Sequence, residues 1–419
     1  MNAISPNLAC CAGGMEFGEA RARVLALAPG LPMAPEMVPL EEGAGRIAAA
    51  PVRARLPLPG FDQSAMDGYA VRTAGLLPGA WLPVAGRTAA GEEPVFLRPG
   101  TAHRILTGAP VPEGADAVIA QEEVLRREGA VRIGAPPAPG AHLRRRGEDI
   151  AAGDTLLREG TLLDWRHLAV LAAQGIGSVA VRRRPRVALL SSGRELRAPG
   201  DRLATGQIHD SNGPMLRALL RAWGAEVHLR PPVADEPAAM REALRDAAAG
   251  ADLVLTTAGI SVGEEDHMRD ALLSLGGELS VLKVAMKPGK PLGAGRIGDA
   301  VFLGLPGNPQ AALAGALAFL RPLLARMTGA AEPAGLAALA GFAMARKPGR
   351  AEFIPVSLHR RGACLRAERA GPDGAGRLAP LLLAQGLAFL PAGRDEIRPG
   401  DELEVLPFPS AFPGEAAHG

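Results

Sequence analysis

Three lysines, Lys283, Lys287 and Lys290, fall within eight residues in the run KVAMKPGKP, and only Lys347 adds a fourth among 46 basic side chains. In a chain that otherwise uses Arg, this cluster marks a place that calls for a compact ammonium. A point charge of that kind suits a phosphate or another oxyanion. Two prolines and a glycine stiffen the loop that presents it, although a solvated turn is the commoner use of such a segment. The run TTAGISVGEEDH (256–267) sets Gly259, Ser261 and Gly263 ahead of a predicted helix start, where exposed N–H groups attract anions. Glu264, Glu265 and Asp266 follow at once. Anion donors beside carboxylates point to a phosphate held together with a divalent cation. Acidic residues in a first turn also simply stabilise the helix dipole, and the segment alone leaves both readings open.

Other runs carry similar potential. SSGREL holds Ser192, Gly193 and Glu195; SNGP holds Asn212; LPGNP holds Pro306 and Asn308, with Asn308 placed to cap a helix and Pro309 to begin it. Glu195, Asp235 and Asp266 each follow a predicted strand and together could bind Mg2+ with substrate phosphates. Nearer the N-terminus, PGFDQSAMDGYAV contains Asp62, Asp67 and the sole tyrosine, Tyr69; LTGAPVPEGADAV contains Thr107; RRRGEDI contains Glu148 and Asp149. Singly these are turns with Asx caps. No Gly-Lys-Ser/Thr phosphate loop, Gly-x-Gly-x-x-Gly turn after the first central strand, Gly-x-Ser-x-Gly elbow or metal-ligand histidine spacing occurs, which disfavours ATPase, dinucleotide-redox and serine-hydrolase chemistry.

The elements that must position these residues alternate. RVALLSS reads as a buried strand, SNGPMLRALLRAWG as a helix capped by Ser211 and stopped by Gly224, followed by strand AEVHL, a helix at 236–249, strand DLVLTTAG, a helix near 266–275, strands ELSVLKV and AVFLGLPG, and a helix from Asn308 to Met327. Alternation of this kind predicts a doubly wound parallel sheet, whose ligands bind beyond the carboxyl ends of its strands. In this domain the loops after the predicted strands (SSGREL, VADE, TTAGISVGEEDH, MKPGKP and LPGNP) are rich in Gly, hydroxyls, carboxylates and Lys. Residues 15–28 predict a helix with Phe17, Val24 and Leu27 facing a core, and residues 1–14 read as disordered. The expected organisation is multidomain α/β plus β. It comprises a discontinuous elongated α+β domain (15–50 and 147–181), an inserted mainly β domain (51–146), a central α/β domain (182–329) and a small C-terminal β-barrel domain (330–411).

Apolar residues make up 47%, charged residues 21%, and the net charge is +2, with no like-charge block to favour nucleic acid. Cys10, Cys11 and Cys364 fit neither zinc spacing nor a disulfide framework. With no signal-like start and a longest apolar stretch of ten residues (311–320), the expectation is a cytoplasmic protein without a membrane span.

Taken together and in order, FDQSAMDGYAV, LTGAPVPEGADAV, RRRGEDI, LLSSGREL, GQIHDSNGPML, TTAGISVGEEDH, KVAMKPGKPL and LGLPGNPQAAL resemble the molybdopterin molybdenumtransferase family, which includes the corresponding domain of gephyrin. The resemblance spans about residues 15–407. It implies an elongated four-domain homodimer whose α/β domain is shared with the pterin adenylyltransferases. It also implies adenylated molybdopterin and molybdate as substrates, Mg2+ as cofactor, and release of AMP. By position it assigns Asp62, Thr107 and Asp149 to the N-terminal side of a cleft, supplied across the dimer. Glu195, Asp235 and Asp266 fall on the α/β side as catalytic groups and metal ligands. Ser192, Gly193, Asn212, Gly259, Ser261, Gly263, Lys283, Lys287, Lys290, Pro306, Asn308 and Arg350 are assigned to substrate. The cofactor's recipients would be molybdoenzymes, and the upstream adenylyltransferase is a further expected partner.

Four positions depart from the family pattern. Arg194 stands in place of Asp, Ala258 of Gly, His209 of Tyr, and Ala375 of Ser. Two other readings compete: the adenylyltransferase that makes the substrate, and a non-catalytic pterin-binding scaffold. Tungstate is an alternative to molybdate, having the same charge and nearly the same shape.

Overall fold

The computed structural model describes residues 14–233, 236–258, 267–372 and 374–409. The chain divides into two compact units: Ala50–Arg158 with Trp165–Gly177 form one, and the rest forms the other.

The larger unit is built on a six-stranded sheet in the order Glu226–Leu229, Arg186–Ser191, Leu253–Thr257, Ala300–Leu305, Pro291–Ile297, Glu278–Lys283. The first four strands are parallel, as the alternation of strands and helices requires. Pro291–Ile297 runs antiparallel to both neighbours, so the sheet is mixed rather than wholly parallel. That strand is a correction to the sequence reading, which placed only a lysine-bearing loop between the last two strands. Alternation along Arg186–Ser191 sends Val187 and Leu189 to one face and Ala188 and Leu190 to the other. The first face packs on Leu216 and Leu220 of helix Asn212–Ala222, on helix Phe17–Ala26 and on the helix after Ala300–Leu305. The second packs on Met240 and Leu244 of Pro237–Ala248 and on Met268 and Leu272 of His267–Ser274. Both faces are therefore covered, which is what a fully buried strand such as Leu253–Thr257 demands.

The helix that follows Ala300–Leu305 runs unbroken over Pro309–Thr328 and is 78% buried within the protein over its most apolar window. Its 20 residues are long and apolar enough to cross a membrane, but this burial makes it the central core helix. It widens to a π-helical stretch over Ala316–Leu320, just ahead of Pro322, which lacks the N–H that an α-turn would use.

Five strands after this helix close into a barrel. Ala351–Arg361 pairs with Cys364–Arg369, then in turn come Leu336–Ala340, Glu402–Pro407 and Gly386–Leu390, which returns to Ala351–Arg361. Ala340, Val356, Ala367, Leu390 and Val405 fill it. The barrel is fastened to the α/β layers by aromatic packing. Phe17 lies 5.4 Å from Phe319, 5.5 Å from Phe353 and 5.3 Å from Phe389 between ring centroids. A further tie is the short strand Met286–Lys287, which pairs in parallel with the barrel strand Ala351–Arg361.

The smaller unit carries a separate six-stranded sheet around Gly68–Val71, cored by Tyr69, Val71, Ile119, Val131 and Ile133. Gly68 is obligatory there, because a Cβ would sit 2.0 Å from the Ile119 carbonyl oxygen.

Candidate active site

A cavity of about 650 Å3 opens at the carboxyl end of strand Ala300–Leu305. Its walls come from five places: Ala258 after strand Leu253–Thr257, the lysine-bearing loop 286–291, the turn and helix start at 305–311, the barrel strand at 350–355, and Gly374–Ala375. Three cations, Lys287, Lys290 and Arg350, reach it from two different folded parts, and Glu352 is its described carboxylate. Met286, Leu305, Phe353 and Ile354 supply apolar surface beside these charges. A concave site with an apolar lining and a few convergent charges is what an anion joined to an organic ring system requires.

Local structure explains the shape. Lys287–Pro288 is a cis peptide, and Gly289 adopts a φ of 109°. The loop turns back on itself, since the Val284 N–H bonds the Lys290 carbonyl at 2.9 Å. On the opposite wall the Gln310 N–H donates to the Ala375 carbonyl at 3.0 Å, and its side-chain amide donates to the Arg377 carbonyl at 2.8 Å. The barrel's 374–377 segment is thereby clamped to the start of the central helix. Asn308 occupies the capping position without a side-chain cap bond, so the capping role expected of it is not filled. Pro309 does take the first helical turn.

Two flanking features bear on binding. Asn212 donates from Nδ2 to the Gly307 carbonyl at 2.6 Å, while its Oδ1 is buried with no hydrogen-bond partner among the described residues. A buried acceptor left unsatisfied is costly, and it suits a ligand donor. Asp210, not Ser211, caps the helix Asn212–Ala222: its Oδ1 accepts the Gly213 N–H at 2.9 Å, and Ser211 makes no side-chain cap bond. Further along the sheet edge, Gly193, Arg194 and Arg197 line a second cavity of about 330 Å3 with Glu236. Arg197 braces the loop by donating to the Arg194 and Leu196 carbonyls.

In the smaller unit, Asp62 accepts the Arg146 N–H at 2.8 Å and the Arg145 guanidinium at 2.6 Å. The Arg146 amide first, then Arg145, hold its carboxyl below the usual range. Asp67 accepts both the N–H and the hydroxyl of Thr107, at 2.8 and 2.7 Å, and these two bonds lower its pKa likewise. Glu148 accepts the Arg145 N–H at 2.7 Å and the Arg144 side chain at 2.9 Å. Asp149 is exposed, and its N–H bonds the Leu58 carbonyl. Asp62, Asp67 and Glu148 are thus each held by short bonds that lower the carboxyl pKa.

Residues 15–175 match the "MoeA N-terminal region (domain I and II)", 195–326 the "Probable molybdopterin binding domain", and 337–408 the "MoeA C-terminal region (domain IV)". A molybdopterin molybdenumtransferase of Mycobacterium tuberculosis is 38% identical over 88% of this chain and 94% of its own length. That of Haemophilus influenzae is 35% identical over 94% and 98%. A molybdopterin-biosynthesis MoeA protein of Pyrococcus horikoshii superposes with a TM-score of 0.80 at 32% identity, covering 95% of this chain and all of the other. The chain belongs to the molybdopterin molybdenumtransferase family.

The family's N- and C-terminal regions both match, so the reading as an adenylyltransferase built of the α/β domain alone falls away. Of the substrate residues that the resemblance assigns, the main cavity gathers Lys287, Lys290, Pro306, Asn308 and Arg350. Ala258 and Ala375, which the resemblance marks as departures, line the same cavity. Lys283 is not part of its lining; it ends the strand Glu278–Lys283, and its carbonyl accepts the Met15 N–H. Ser192 is buried at the end of the Arg186–Ser191 strand, its N–H on the Thr257 carbonyl, and Gly193 lines the second cavity. Glu195 is exposed. Asp235, Asp266, Gly259, Ser261 and Gly263 lie outside the described residues. Among the described residues no group of three or more His, Cys, Asp or Glu side chains could hold a metal. Of the three assigned metal ligands, Glu195 is therefore the one the structure describes.

Sequence reasoning missed Glu352, Gln310, Met286 and Phe353 in the cavity wall. Proximity to Arg350 in GRAEF was the available signal for Glu352. Its partner Lys287 lies 65 positions away and meets it only through strand pairing.

Proposed function

We propose that this enzyme transfers molybdate to adenylated molybdopterin with release of AMP, and that the oxyanion is taken up in the cavity that joins the lysine-bearing loop to the barrel. One observation carries the assignment: Lys287, Lys290 and Arg350 converge from two folded parts on an apolar-walled cavity. Molybdate and a phosphoanhydride repel each other, and fixed cations offset that repulsion best where water is partly excluded. The three side chains bind and orient the anion, and the stiff loop keeps Lys287 and Lys290 from following it out. Asn212 Oδ1 offers an acceptor to a donor group on the organic substrate.

Mg2+, when bound, would neutralise phosphate charge, and Glu195 with Asp235 and Asp266 is the proposed ligand set. A lone exposed carboxylate is compatible with Mg2+, which keeps several waters and few protein ligands. Asp62, Thr107 and Asp149 are proposed to act from the second copy in a homodimer. Their support here is that bonds from the Arg146 amide and Arg145 lower the Asp62 pKa, and that Thr107 is an exposed residue fixed by Asp67. A cytoplasmic, reducing setting suits the exposed free thiol of Cys364.

The test is to supply adenylated molybdopterin, Mg2+ and molybdate, and to measure AMP together with activation of an apo-molybdoenzyme. Molybdate-dependent AMP release with active cofactor, requiring far more molybdate in Lys287→Ala, is expected. Tight pterin binding without molybdate-dependent release would instead make the protein a scaffold.

A further inference from the structure

Glu352 is the anomaly in a cavity assigned to anions: a carboxylate, 5% exposed, in the wall that an oxyanion must approach. A buried carboxylate repels such a ligand and is costly to bury, so it persists only where its partners repay that cost. Its two oxygens are divided between two cations. Oε1 accepts from Nε of Arg346 at 3.3 Å, and Oε2 lies 3.4 Å from Nζ of Lys287. The partners differ in kind. The Arg346 side chain is 1% exposed, and it also donates to the Pro391 carbonyl at 2.6 Å and to the Arg350 carbonyl. Lys287 is 48% exposed and faces the cavity.

We infer that Glu352 is a positioning residue for oxyanion uptake, which holds the Lys287 ammonium at the cavity wall while Arg346 acts as its permanent counter-ion. The inference rests on the reading of this cavity as the oxyanion site. Register enforces the contact, because Lys287 and Glu352 are paired residues in the parallel ladder between Met286–Lys287 and the barrel strand. At 3.4 Å the Lys287 contact is long for a charge-assisted hydrogen bond, and an ammonium has three donors. Lys287 is thus steered without being captured, and it can turn its donors to an incoming anion. When it does, Glu352 keeps Arg346 and is never left as an uncompensated buried charge. The same guanidinium fixes the Arg350 carbonyl, so one bracket sets the places of two cavity cations.

The opposite role, a counter-charge that merely weakens anion binding, gives the opposite sign. Glu352→Gln keeps the shape and an acceptor for Arg346 but turns an amide donor or a neutral oxygen toward Lys287. The expected result is a molybdate KM raised about tenfold, the scale of one charge-assisted contact, with kcat at saturating molybdate and the KM for adenylated molybdopterin within about twofold of wild type. In a Lys287→Ala background the same change should raise the molybdate KM less than about threefold, since the group it steers is gone. Glu352→Asp, which keeps the charge for Arg346 but is too short to reach both partners, should give the same KM rise if the Gln variant folds poorly. A molybdate KM that falls or stays unchanged in both variants, or effects that multiply fully with Lys287→Ala, would overturn the proposal. A wild type whose AMP release ignores molybdate overturns the oxyanion reading itself, and this proposal with it.

Discussion

Arg183 grips Asp252 with both terminal nitrogens, each 2.7 Å from a carboxylate oxygen, and the Arg186 N–H adds a third bond at 2.8 Å. Asp252 stands just before the strand Leu253–Thr257, and Arg183 and Arg186 flank the start of its parallel neighbour, so the three bonds fix the register in which those strands begin. Burial alone would push the Asp252 carboxyl up, but the Arg183 side chain and the Arg186 amide outweigh it and the pKa is lowered. A folded-state value below the unfolded one means that the bonds stabilise the fold fully above the unfolded Asp range. That contribution is lost as pH falls through the folded value. Asp252→Asn should therefore destabilise by about 2 kcal/mol at pH 7, less than a fully buried pair because Asp252 remains 19% exposed. Urea midpoints of wild type and variant should converge as pH drops below about 4. A gap that persists undiminished at pH 3 would show that the charge is not the cause.

Ala258 carries a left-handed φ of 66°, a conformation that favours glycine. A Cβ in that region is strained by about 1–2 kcal/mol, which exceeds the unfolded-state entropy that Ala saves relative to Gly. Ala258→Gly should accordingly stabilise the protein by about 0.5–1 kcal/mol, whereas Ala→Gly is destabilising at ordinary positions. Chemical denaturation of the two proteins decides it, and a loss of stability would mean that the Ala258 methyl packs usefully against the Gly307 turn.

What the sequence revealed and what it hid divide along one line. Elements set by local periodicity were legible: Val24 on the helix Phe17–Ala26 and Leu27 at its C-cap are buried, and the strands ending at Ser191, Thr257 and Leu305 fall where buried apolar runs put them. The strand Pro291–Ile297 was not legible, because PLGAGRI opens on a proline and has two glycines, which read as a loop. Tertiary packing explains one of them. A Cβ on Gly295 would lie 1.7 Å from the Glu278 carbonyl oxygen, so glycine is there to let two strands meet. Ser211 looked like a helix cap, yet Asp210 does that work, since boundary residues compete within one position of each other. At the site, the chemistry-bearing loops were visible by residue type, but the convergence of Lys290 with Arg350 and Glu352 depends on a barrel strand docking beside the lysine loop, which no local pattern encodes.

Loss of a single cavity cation should weaken the oxyanion more than the organic substrate. Arg350→Ala removes a planar donor that reaches in from the barrel, and Lys290→Ala a point charge from the loop. Each should raise the molybdate KM about ten- to a hundredfold, matching about 1.5–3 kcal/mol for a charged hydrogen bond. Wild-type affinity should also fall with added inert salt, and each variant should show a shallower salt dependence. Equal effects on both substrates would place the cations on the phosphates instead of the oxyanion.

Thr107 offers the cleanest separation of chemistry from stability. Its N–H and its hydroxyl both end on Asp67, so the residue is fixed, yet it is exposed and contributes little to any core. Thr107→Ala keeps the backbone bond and deletes only the hydroxyl, leaving Asp67 one acceptor contact short in a solvated place. The thermal midpoint should move by less than about 2 °C, as surface changes away from caps and cores do. If the hydroxyl orients substrate, kcat/KM for AMP release should fall about tenfold or more, since losing one oriented donor or acceptor removes positioning at the reacting group. Thr107→Ser should restore most of that loss. Unchanged turnover in the alanine variant would reduce Thr107 to a turn residue and leave Asp62 and Asp149 to act without it.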